Sequence, residues 1–103
     1  MNDLAREKLI EAAMNGTPQI TRSFKTDLGL CALGVLGYNY AQSYHQQMTL
    51  DLLYELNANA KCPFLGTDED VFDCHSSMFT ERHVVAHLND IHKMTFLDIA
   101  RKL

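Results

Sequence analysis

Apolar residues recur at helical spacing in four separate stretches of the chain. Over Asp3–Asn15 the positions Leu4, Leu9, Ile10, Ala13 and Met14 predict an amphipathic helix with Asp3 as its N-cap, ended by Gly16 and Pro18. Met48–Asn57 predicts a second helix with Leu52, Leu53 and Leu56 on one side and Thr49 able to cap it. Thr80 is placed to cap another, whose stripe is Val84, Leu88 and Ile91. Thr95 opens the last, with Asp98 three residues on as a weaker capping box. There Phe96, Ile99, Ala100 and Leu103 face inward, while Arg101 and Lys102 suit the negative end of the helix dipole.

The intervening stretches read differently. Residues 16–27 form a polar connection and residues 58–79 a long loop. Leu28–Tyr38 is apolar on all sides and belongs at the centre of the domain, as a buried helix or, alternatively, a short buried strand. Its Gly29, Gly34 and Gly37 cost a helix roughly 1 kcal/mol each relative to alanine, so they imply close backbone packing, with Gly34 and Gly37 set against another helix. The expected fold is mostly α: a small helical bundle with a long loop and a zinc-finger-like C-terminal half. It forms one domain over 1–103, helical over 1–60 and a loop plus two helices over 61–103.

Composition narrows the class. With 47% hydrophobic and 21% charged residues the chain is an ordinary globular one. Nine Lys+Arg against thirteen Asp+Glu give a net charge of −4, which argues against binding to nucleic acid by diffuse positive charge. The longest apolar run falls well short of the ~20 residues of a membrane span. A polar start of mixed charge and an odd number of cysteines, three, predict a protein of the reducing cytoplasm without an export signal.

Several familiar chemistries fail on their own spacing. Gly29 and Gly34 begin a phosphate loop, but Val35 and Leu36 stand where Lys and Ser/Thr must follow. A calcium loop counted from Asp68 has Phe79 where a bidentate Glu is required. His83 and His87 are one helical turn apart, yet Val84 occupies the place of a metalloprotease's general base. Cys31 sits in the apolar run, where a thiol is inert. No catalytic constellation is legible, and the expectation is a protein that is not an enzyme.

One constellation survives. Twelve residues lie between Cys74 and His87 and four between His87 and His92, as in the second half of a Cys2His2 zinc finger. Cys62 completes the set, although it lies farther from Cys74 than a finger's two to four residues. Loop closure cost grows only logarithmically, so the longer gap is geometrically allowed. The predicted ligands are therefore Cys62, Cys74, His87 and His92, holding zinc. His83 or His75 could replace one of them, and the alternative is two buried apolar thiols beside a wet histidine face.

Two segments, Gly29-Leu-Cys-Ala-Leu-Gly34 and His87-Leu-Asn-Asp-Ile-His92-Lys-Met-Thr95, resemble a group of small phage and bacterial proteins. That group pairs a central Cys-Ala-Leu-Gly with a C-terminal His-Leu-Asn-Asp-x-His-x-x-Thr, and many members carry Cys-Pro-x-Cys between the two. The resemblance covers roughly residues 28–38 and 62–100. It matches Cys62-Pro63 to the first thiolate and His87 and His92 to the imidazoles. Leu65 stands in place of the second Cys, so Cys74 must supply the missing sulfur. The group has no assigned activity, and the resemblance implies common ancestry.

Small size, acidity and this kinship suggest a binding protein that acts by protein–protein contact in the cytoplasm, a host's if phage-encoded. An anti-CRISPR-like inhibitor of a host defence system fits, its partner a host protein or ribonucleoprotein. Asp68, Glu69, Asp70 and Asp73 would pair with a basic groove, with Phe64 and Phe72 as anchors. Plain solvation of that acidic loop is the alternative. A zinc-finger reader of nucleic acid, presenting Glu81, Arg82, His83 and Ala86, is the other functional class. Only Arg82 among them suits a phosphate or guanine. A zinc hydrolase is disfavoured, because four protein ligands leave no open position for water.

Overall fold

A computed structural model of the chain describes residues 3–21, 25–26, 28–37, 50–71, 74 and 80–103. Among the described residues the elements follow in the order α1 (Asp3–Met14), β1 (Lys25–Thr26), β2 (Gly29–Leu30), α2 (Ala32–Val35), α3 (Leu50–Leu56), α4 (Glu81–Asp90) and α5 (Phe96–Lys102). The domain is mostly helical, and α1 lies along α5 with further contacts to α2 and α3.

α1 begins with Asp3 already in its first turn, so Asp3 is not the N-cap. Its buried face is Ala5, Leu9 and Ala12, while Met14 is 82% exposed. Leu4, Ile10 and Ala13 only flank the core. Two alanines flank Leu9 on this face, so most of what α1 buries is small. Gly16 ends the helix as expected: at φ 69° its N–H reaches the Ala13 carbonyl, and Thr17 N–H reaches that of Ala12.

The segment after residue 24 is neither one helix nor one strand. β1 and β2 form a short antiparallel hairpin pairing Lys25 with Leu30 and Thr26 with Gly29, so the polar connection carries a strand. Leu28 at its turn is 79% exposed, contrary to the central placement expected of it. Cys31, Ala32, Leu33 and Leu36 do enter the core. Gly29, whose φ is +149°, makes a close backbone approach. Any Cβ there would sit 2.3 Å from the Pro18 carbonyl oxygen. That contact lets Leu30 donate to Pro18 and accept from Ile20, docking the chain after α1 against β2.

In α3, Leu52 and Leu56 are fully buried and Leu53 partly so. Met48 and Thr49 lie outside the described residues. Thr80 caps α4 and pairs with Asn59 in an isolated bridge, so the end of α3 and the start of α4 are joined by backbone. Val84, Val85 and Leu88 bury, but Ile91 is 38% exposed because α4 ends at Asp90 and the chain turns away. Thr95 caps α5 by accepting from Asp98 N–H at 3.2 Å, and the Asp98 carboxylate faces Arg101 at 3.7 Å.

Candidate metal centre

The long loop and the end of α4 bring two sulfurs and two imidazole nitrogens to one point. Cys74 Sγ lies 3.4 Å from Cys62 Sγ, 3.3 Å from His87 Nε2 and 3.3 Å from His92 Nε2. Cys62 Sγ lies 3.6 Å from His92 Nε2. All four donor atoms lie within 4.8 Å of one another. Cys62, Cys74 and His87 are buried and His92 is partly exposed, so one edge of the cluster reaches the surface. The four side chains predicted as ligands are thus together and could hold a metal ion.

Local backbone explains the convergence. Residues five apart on a regular helix point about 140° away from each other at 3.6 residues per turn, so an uninterrupted α4 would separate His87 from His92. Instead His92 N–H reaches back to the His87 carbonyl, Met94 N–H to that of Leu88, and Lys93 adopts φ 53°. The loosened turn swings the second imidazole back beside the first, with ring centroids 4.7 Å apart and edge to face. On the loop side, the turn after Cys62 closes with Leu65 N–H on the Cys62 carbonyl. Phe64 N–H then points at Cys62 Sγ (3.4 Å) and Val71 N–H at Cys74 Sγ (3.5 Å). Donors aimed at sulfur favour thiolate and orient it, as outer-shell partners do at metal centres.

Burial pushes the Cys62 thiol up to about 11, with the proximity of Cys74 acting in the same direction and the Phe64 N–H opposing it. Without a cation Cys62 therefore keeps its proton, whereas a bound divalent ion would reverse the preference and draw thiolate. Cys31 is raised as well, chiefly by desolvation, and its sulfur accepts from Gly34 N–H at the start of α2. It belongs to the helix cap and not to the cluster.

His83 does not substitute for a ligand. Its Nδ1 lies 2.9 Å from the Thr80 hydroxyl and accepts from Thr80 N–H at 3.3 Å, closing the first turn of α4. His75, Phe72 and Asp73 lie outside the described residues. Phe64 lies against the cluster, its ring 4.5 Å from that of His92, with Lys102 Nζ 5.0 Å from its centroid. Asp68 and Glu69 are exposed, while Asp70 folds back to accept from Gly66 N–H at 2.8 Å.

The sequence reading missed a buried polar node. Asn89, 1% exposed, accepts from Ala32 N–H (3.0 Å) and Gln19 (2.8 Å) and donates to the Ile20 carbonyl (2.9 Å) and Asp90 (2.8 Å). Gln19 also donates to the Met94 carbonyl and accepts from Phe96 N–H. This node sits two residues from His87 and locks the α4–α5 turn that carries His92. An Asn on the face of a helix otherwise lined by Val and Leu was the available signal.

What the site defines is a small helical domain with an S2N2 cluster in its C-terminal half. No family model, curated protein or solved structure matches the chain, so the functional reading rests on the chemistry of the site. Among the described residues no helix is long and apolar enough to cross a membrane.

Proposed function

We propose that this chain is a zinc-stapled binding domain. One Zn2+ on Cys62, Cys74, His87 and His92 ties the long loop to α4 and α5, and the loop's acidic tip meets a partner protein. A single observation supports the metal most strongly. Zn–S of about 2.3 Å and Zn–N of about 2.0–2.1 Å give a tetrahedron edges of roughly 3.3–3.8 Å, and four of the six donor separations run from 3.3 to 3.6 Å. Two thiols and two imidazoles suit zinc, whereas calcium and magnesium seek oxygen.

Four protein ligands would complete the coordination sphere, which makes the centre a staple and not a hydrolase. Elemental analysis of purified protein should give one zinc per chain, lost in His87→Ala. A metal-free preparation that takes up none on reconstitution would end this reading.

The task of such a domain is contact. Asp68 and Glu69 are exposed on a loop whose base the metal would fix, in a chain of net charge −4. Together with the resemblance to phage proteins, this supports a cytoplasmic, anti-CRISPR-like inhibitor that occupies a basic groove of a host protein or ribonucleoprotein. Expressed in a host with an active CRISPR system, it should restore phage plating, and paired Asp68→Lys and Glu69→Lys should abolish that effect. Failure of the parent chain to restore plating would remove the inhibitor reading.

A nucleic-acid reader built on α4 has weaker support. His83 is engaged with Thr80, and Glu81 stands beside Arg82. Salt-dependent binding to duplex DNA at physiological ionic strength would favour it.

A further inference from the structure

We propose that the centre is a redox-releasable staple: oxidation joins Cys62 to Cys74 and expels the metal. This rests on the zinc reading above and adds regulation to it. The two sulfurs are 3.4 Å apart and buried together. They need to approach by only ~1.3 Å to reach the ~2.05 Å of a disulfide. Cys31, the third cysteine, is held at the start of α2 by Gly34 N–H. The cluster therefore contains one pair of sulfurs, with a defined partner for each.

A peroxide supplies the oxidising equivalents. One thiolate attacks a peroxide oxygen, the O–O bond breaks, and the sulfur becomes a sulfenic acid while the departing hydroxide takes a proton and leaves as water. The second thiolate displaces the sulfenic hydroxyl, which takes another proton and leaves as a second water. Two electrons have passed from the sulfurs to the peroxide, and Zn2+ keeps its charge. Left with two imidazoles, the ion loses both of its anionic ligands and departs. His92 lies at the partly exposed edge, where a small neutral oxidant has the shortest way in. The disulfide would keep the loop tethered while releasing α4 and α5 from it, so the acidic tip would no longer be fixed relative to the helices. A thiol reductant with zinc restores the starting state.

The test uses the zinc-loaded protein, its metal counted before any oxidant is added. Hydrogen peroxide should release one zinc for every two thiols lost, taking reactive thiols from three to one under denaturing conditions, with alkylation falling on Cys31. In Cys31→Ser, which keeps the capping acceptor, thiols should fall from two to none with the same zinc release. Reduction with added zinc should reverse both. Protein that binds no metal fails the zinc reading before the oxidant is added. Protein that holds its zinc, or loses it with Cys62 and Cys74 over-oxidised or linked to Cys31, overturns the switch alone.

Discussion

Asn89 Oδ1 accepts the backbone N–H of Ala32 at 3.0 Å, across 57 residues of sequence. Through that bond the Cys-Ala-Leu-Gly segment and the His-Leu-Asn-Asp segment meet in space, so the two stretches that looked related only as motifs are halves of one contact. Asn89→Ala would strand the Ala32 N–H, the Ile20 carbonyl and part of Gln19. Each buried group left unsatisfied costs about 1–3 kcal/mol. The expected loss is at least ~2 kcal/mol by chemical denaturation, and a loss under ~0.5 kcal/mol would contradict the role assigned to this node.

His83 and His87 lie one turn apart and should behave oppositely. His87→Ala removes a proposed ligand, so it should release the metal and lower the melting temperature. His83→Ala removes a capping partner and should cost ~0.5–1 kcal/mol with metal content unchanged. His45→Ala, at a histidine outside both the expected ligand set and the described residues, should leave the metal content unchanged. Metal analysis and thermal melting on the same preparations separate the three.

In the metal-free protein the folded state holds a proton on Cys62 that the unfolded chain gives up above about pH 9. Stability from this group is therefore complete below pH 9 and is lost as pH rises toward about 11. Zinc reverses the dependence, because binding needs thiolates and neutral imidazoles and so weakens as acid is added. Denaturation profiles should show the alkaline loss without metal and an acidic loss with it.

Gly29 and Gly16 both have positive φ but differ in their surroundings. An added methyl meets Pro18 at Gly29 and open space at Gly16. Gly16→Ala should cost about 1–2 kcal/mol, the left-handed penalty alone. Gly29→Ala should cost clearly more, by forcing β2 away from the chain after α1. Equal losses in denaturant would show that the Pro18 contact yields easily.

The helices and the Cys/His cluster were legible in the sequence because both depend on short spacings. Thr80 and Thr95 announce their caps, and three of the four donors lie between Cys74 and His92, a separation of 18 positions. Cys62 could be included because a loop of that length closes cheaply. What escaped depends on distant partners. Whether Leu4 and Met14 or Ala5 and Ala12 face inward is decided by how near α5 comes, which helical periodicity does not encode. The constriction at Gly29 needs Pro18 in place, and Gln19 and Asn89 find each other across 70 positions. Ile91 fits the apolar stripe of α4 but falls just past the end of the helix.

The ring of Phe64, canted 37° to His92 and sitting beneath the Lys102 ammonium, also gives the centre a built-in reporter. Its circulating π electrons should shift the proton resonances of the nearby imidazole, so His92 should stand apart from His87 in a magnetic resonance spectrum. The order in which the two nitrogens engage an ion then becomes something that can be watched as the ion is titrated in.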